Sequence, residues 1–212
     1  MADPIEASAP PAVADRRAPS ALGLRSTARR LGHYRWVEQR LFEMLGAWAT
    51  SVPEALVAVR LGVHCHQHAW HVGLWRDRFP ALHDLTPEQL TVAPDERVAR
   101  FLDAVAEPDD TLARVVGVYR VVLPHLVAEC RAHLDHTNDV TDGPTARVLS
   151  LVLRDLVDHL AEGESMVAAL EHGADDSQRA ESHRHALEQE LASAGGLMGT
   201  DTPDLAGAGF RQ

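Results

Sequence analysis

The sequence predicts an all-α protein, a bundle of four long helices with one long crossover between the second and third. Three observations predict it. Apolar residues recur at spacings of three and four along four long segments. No segment alternates as a strand would, and no stretch repeats another. Prolines gather between the periodic segments, with Pro124 as the exception.

Residues 1–25 are rich in Ala and Pro and lack periodicity, which predicts a disordered arm in which Arg16 and Arg17 are solvated charges. A first helix is expected from Ser26 to about Thr50, with Ser26 and Thr27 available as N-caps. Pro53 suits the first turn of a second helix that runs to about Arg78, ahead of Pro80. Residues 79–94 hold Pro80, Pro87 and Pro94 and predict a long surface connection. A short helix from Asp95 to Ala106 precedes a third long helix, Asp109 to about His136, which Pro124 is expected to kink. TNDVTDGP at 137–144 is a turn, and a fourth helix follows from Pro144 to about His172, stopped by Gly173. Residues 176–193 predict one more polar helix before a Gly-rich, disordered end. The organisation is thus an arm (1–25), a helical bundle (26–173) and a polar, partly helical tail (174–212).

Composition narrows the function classes. A formal net charge of -11 argues against nucleic acid or an anionic membrane as partner. Cys65 and Cys130 are too few for a disulfide scaffold, and two thiols fit a reducing cytoplasmic setting. No signal-peptide pattern is present at the N-terminus, and no apolar run is expected to span a bilayer. The expectation is a cytoplasmic protein whose partner is a small molecule, with a homodimer left open.

The chemistry concentrates in HCHQHAWH, residues 64–71. At about 100° per residue His64, His68 and His71 share one helix face, continued by Val57, Leu61 and Trp75, while His66 points away. The first helix carries a matching anomaly: Glu38 lies within the stripe Leu31, Tyr34, Leu41, Leu45 and Trp48, whereas Glu43 falls on the polar side. A carboxylate in a core needs a cation, a hydrogen-bond network or a proton. On the third helix the stripe runs through Leu112, Tyr119, Leu126, Cys130 and His133, with Glu129 at its edge. On the fourth, Asp155 and His159 flank the stripe one turn apart, and Asp158 and Glu162 look more solvated. Any one of these reads as ordinary packing. Together, three inward histidines and a glutamate on neighbouring helices form the ligand set of iron, manganese or zinc.

YRWVEQRLFEML on the first helix, CHQHAWHVGLW on the second and LVLRDLVDHLAEGE on the fourth resemble the ferritin-like superfamily, over about residues 26–172. The resemblance implies a di-iron or di-manganese centre in mid-bundle, held by a Glu from each of two helices and Glu-x-x-His from the other two. Glu38 matches the first-helix glutamate. His68 is similar to the second-helix histidine, although Cys65 stands three residues before it; alternatively His71 is that ligand and His68 occupies the glutamate position. Asp155 precedes His159 by four residues rather than three, and Leu156 stands where the glutamate is usual. Glu129 is a candidate third-helix ligand.

Three functions of different class follow. The first is a non-haem oxidoreductase or oxygenase that uses dioxygen or a peroxide on a small organic substrate. In it Glu38, His68, His71, Asp155 and His159 hold iron (or manganese), singly or as a di-metal centre, His64 is a ligand or supporting donor, and Tyr119 lines the substrate side. The second is a metal-free enzyme in which Glu38 and a core histidine do acid–base work, burial raising the pKa of the one and lowering that of the other. The third is a non-catalytic binding bundle whose polar core fixes helix register. Iron storage is disfavoured because the Glu-x-x-His motifs of a ferroxidase are absent.

Overall fold

A computed structural model describes residues 22–138 and 142–200; among them every regular element is a helix and no strand occurs. Most of the expected arm, and the end beyond residue 200, lie outside the described residues.

The first helix, α1 (Leu24–Ala49), starts two residues earlier than expected. Gly23 is its N-cap without a side-chain bond, and Thr27 N–H already bonds Gly23 O at 2.9 Å. Ser26 and Thr27 therefore sit inside the first turn and cap nothing. In α2 (Ala55–Arg78) the N-cap is Glu54, so Pro53 precedes the helix instead of opening it. The connection that follows is not wholly irregular. Thr86 and Gln89 close a capping box around the single turn α3 (Pro87–Leu90). That turn lies on α1 because Gly32 has no side chain: a Cβ there would meet Leu90 O at 2.0 Å. Asp95 caps α4 (Glu96–Ala106) by accepting from the N–H groups of Arg97 and Val98.

The third long rod is three pieces, α5 (Thr111–Val116), a π-helical segment (Gly117–Val122) and α6 (Leu123–Asp135). The expected kink at Pro124 takes this form. Proline has no N–H to continue the ladder, and the widened turn just before it, with Leu123 N–H bonded to Val118 O, absorbs the mismatch. The fourth rod, α7 (Gly143–Leu170), ends at extended Glu171; Gly173 caps the next helix, α8 (Ala174–Ser193), and does not stop the previous one.

α1 packs along α2, and α2 and the third rod both pack on α7. α8 crosses the π segment, α4 and α5, so the tail is part of the same body. Leu187 and Leu191 on α8, and Leu197 and Met198 just past it, join one continuous core with Leu31, Leu61, Leu126 and Leu156. Residues 194–200 are thus packed turns and not part of a disordered end.

The span Thr111–Asp135 does reach the length and mean hydropathy (1.3) of a membrane-crossing helix, contrary to expectation. Neighbours cover its apolar residues, with 67% of its most apolar window buried inside the protein, while Arg114 and Arg120 on the same span pair with Asp109, Glu164 and Glu171. A buried ion pair also ties it to α1: Arg30 donates to Glu129 at 2.9 Å, and the Tyr34 hydroxyl donates to Glu129 O at 3.1 Å.

Candidate functional site

Glu38 comes from the middle of α1, and His64, His68 and His71 from the facing stripe of α2; all four are buried, as the helical phase predicts. His66 is exposed, and so is Glu43, which pairs with Arg40. The buried residues divide into two neighbouring groups.

In the first group Glu38 is the hub. One of its carboxylate oxygens accepts from His68 Nδ1, and the other lies 3.3 Å from His71 Nδ1 without hydrogen-bond geometry. The far nitrogen of His71, Nε2, donates to Asp155 Oδ2 at 3.1 Å. Glu38 Oε1, His68 Nε2 and His71 Nδ1 are left without hydrogen-bond partners although buried. Donor atoms of Glu38, His68 and His71 lie within 4.8 Å of one another, the one such group among the described residues.

Charge follows geometry. Burial pushes the Glu38 carboxyl up, but the neighbouring His71 and His68 outweigh it and hold the pKa at about 2. Burial pushes His71 down, and Glu38 and Asp155 together more than reverse that, so His71 is raised. The expectation that burial would raise Glu38 is therefore overturned, because the groups are close enough for mutual attraction to win; the expected lowering of a core histidine fails at His71 and holds at His64 and His159.

The second group is built on His64. Its Nε2 is 2.8 Å from Glu162 Oε2, and its Nδ1 is 2.6 Å from the Tyr119 hydroxyl. A carboxylate oxygen only accepts, so in neutral His64 the hydrogen is on Nε2 and Nδ1 accepts from Tyr119. Glu162 accepts in turn from Arg60 at 3.1 Å, at the surface. Tyr119 belongs to the π segment and lies against Gly163, where a Cβ would sit 2.3 Å from its ring. His159 stacks on His64 with centroids 3.9 Å apart, meets His68 edge-on at 5.1 Å, and donates through Nε2 to Gln67 Oε1 at 2.6 Å. Burial lowers His159 to about 2, with the charges of His68, His64 and His71 adding to the effect, and burial also lowers His64. Two neutral rings can stack where two cations would repel.

The structure thus gathers Glu38, His68 and His71 at one point, with Asp155 behind His71. It places His64, His159 and Tyr119 in the adjoining network, engaged with other protein groups. Glu129, the candidate third-helix ligand, is taken up by Arg30. Cys65 turns towards α1, donating to Phe42 O at 3.4 Å. Glu162, Arg60 and Gln67 were not singled out as site residues. The available signal was spacing: Arg60 is one turn before His64, and Glu162 is one turn after His159.

No family model, curated protein or solved structure matches this chain.

Proposed function

We propose that the protein is a non-haem metal-dependent oxidoreductase acting on a small organic substrate, with Glu38, His68 and His71 as ligands of one iron or manganese ion. The observation that carries this reading is the buried convergence of those three donors within 4.8 Å. Two imidazoles and one carboxylate are the set that holds iron(II) while leaving coordination positions open. The unpartnered atoms Glu38 Oε1, His68 Nε2 and His71 Nδ1 are costly in a core unless a further group satisfies them, and a cation does so for lone pairs. When bound, such a metal supplies redox-active Lewis-acid chemistry for dioxygen or a peroxide.

The chain's own residues have separable tasks. Glu38, anionic at neutral pH, supplies the negative charge that a buried cation requires. Asp155 accepts the Nε2 hydrogen of His71, fixing the tautomer that leaves Nδ1 free towards Glu38. Tyr119, whose hydroxyl is held protonated by burial, donates to His64 Nδ1 while Glu162 accepts from Nε2, so the two fix the orientation and tautomer of the neutral His64 ring. Glu162 also borders a surface groove of about 560 Å³ between α2 and α7, with Arg60, Ser165 and Met166 in its wall.

The reading takes the fold as ferritin-like, with the connection from α2 through α4 as the crossover; support comes from α1 packing on α2 and the third rod on α7. One ion is proposed in place of a di-metal centre because the described residues hold a single three-donor group. A metal-free acid–base enzyme would need a carboxyl poised near neutrality, and Glu38 at about 2 is not one. The test is elemental analysis of tag-free protein followed by anaerobic iron(II) and manganese(II) titration. About one equivalent per chain is expected; a folded chain that binds neither metal contradicts the proposal.

A further inference from the structure

The outward arc of α2 is unlike the rest of the surface. Leu56 is 85% exposed, Val59 66%, Trp70 47% and Val63 45%. At about 100° per residue these four fall within an arc of roughly 60°, so they form one stripe along the helix and not scattered apolar residues. The stripe continues sideways over Gly62 and Gly73, where a Cβ would meet nothing, towards exposed Phe42 on α1, whose carbonyl touches Cys65. The same chain carries 31 acidic residues and a net charge of -11, yet residues 55–76 contain no Asp or Glu. Arg60, the cation nearest the stripe, is neutralised within its own chain by Glu162.

We propose that this face of α2 is where a second copy of the chain docks, as a two-fold dimer with α2 against α2. Charge selects that occupant. In a two-fold contact each residue near the axis meets its own copy, so an acidic face repels itself and an uncharged one does not. The other long helices each carry acidic residues, for example Glu43 on α1, Asp135 on α6 and Glu164 on α7. α2 carries one, Asp77, in its last turn, where it pairs with Arg76 at 3.0 Å and lies far from an axis at mid-helix, so two chains of this net charge can cross on residues 55–76 without like charges opposed at the axis. A helix of 24 residues is about 36 Å long and about 10–12 Å across, so the contact takes in the neighbouring face of α1 at exposed Phe42 as well. Stable dimers bury about 800 Å² per partner. The bare backbone at Gly62 and Gly73 lets the partner helix approach closely beside the anchor Trp70.

Sedimentation equilibrium of the full chain, across roughly 1–100 μM, tests this without reference to any metal. The wild type is expected as a dimer. The double variant Val59→Glu/Trp70→Glu, and separately Val63→Arg, should raise the dimer dissociation constant at least about tenfold while keeping the wild-type helical circular dichroism. Val157→Glu, on exposed α7, should leave the dimer intact. A wild type that is monomeric throughout, a dimer that survives all the α2 variants, or one lost with Val157→Glu would overturn the proposal.

Discussion

The Glu38 group and the His64 group lie side by side on the same stripe of α2, are buried alike, and use the same residue types, yet they are finished differently. Around His64 both ring nitrogens are taken, by Tyr119 and Glu162, the rings of His64 and His159 stack as neutral groups, and one buried atom, His159 Nδ1, lacks a partner. Around Glu38 three buried atoms have no hydrogen-bond partner, and Glu38 Oε1 and His71 Nδ1 face each other across 3.3 Å without a hydrogen bond. A network that protein atoms nearly close holds a proton and a ring orientation, whereas a cluster with three atoms open has lone pairs to offer a ligand that is not protein. Burial and composition do not separate the two. The count of satisfied atoms does.

The sharpest way to break this contrast is Glu38→Ala. It should reduce iron(II) binding below detection and abolish any turnover, because it removes the one carboxylate of the donor group. Glu43→Ala, with its side chain at the surface, should do neither. Equal loss in both variants, measured by the same titration, would mean that α1 is wrongly phased.

Acid comes next. In the fold His159 and His133 titrate at about 2 and 3, against 6.5 when free, so below about pH 6.5 the unfolded chain takes up their protons first. Each then removes up to about 1.4 kcal/mol of stability per pH unit. Glu38, held at about 2 against 4.5, adds stability above about pH 4.5 that is lost as pH falls towards 2. His71 opposes them: being raised, it contributes below pH 6.5 and loses that contribution as pH rises through its folded value. With His33 lowered to about 4 and His64 also lowered, four depressed histidines outweigh one raised one. The melting temperature of metal-free protein should therefore fall from pH 6.5 downward and more steeply below 4.5. A flat profile between pH 7 and 4.5 would refute the neutral buried histidines.

Gly163→Ala acts on the His64 group alone. Its Cβ would sit 2.3 Å from the Tyr119 ring, so the ring must move off His64. A loss of about 1–3 kcal/mol is expected, read as several degrees of melting temperature, with metal affinity kept. Asp155→Asn should do the converse, weakening metal binding about 10–100-fold through the orientation of His71, at little cost in melting temperature.

Much of this arrangement was legible in the sequence because helix phase is a local property. The stripe that placed Glu38, His64, His68 and His71 inward and His66 outward follows from angle alone, and the structure buries and exposes them accordingly. What periodicity cannot carry is distance between helices. Glu162 read as solvated on α7, yet it reaches His64 because α2 and α7 are in contact. Glu129 read as a candidate third-helix ligand only, and Arg30, buried on α1 and unremarked in the sequence, takes it. The charge state of Glu38 was misjudged for the same reason: burial is legible in a pattern, while two imidazoles at hydrogen-bond range are not. Boundaries failed where caps decide them. Gly23 and Glu54 cap without side-chain bonds, so nothing in residue type marks those starts.

The most direct measurement is iron(II) stoichiometry in His68→Ala and His64→Ala, titrated anaerobically beside the wild type. The two residues are one helical turn apart on one face, equally buried, and differ in whether protein atoms complete them. The account predicts that His68→Ala loses the ion and His64→Ala retains it. Retention by His68→Ala, or equal loss in both, would contradict the division of the site.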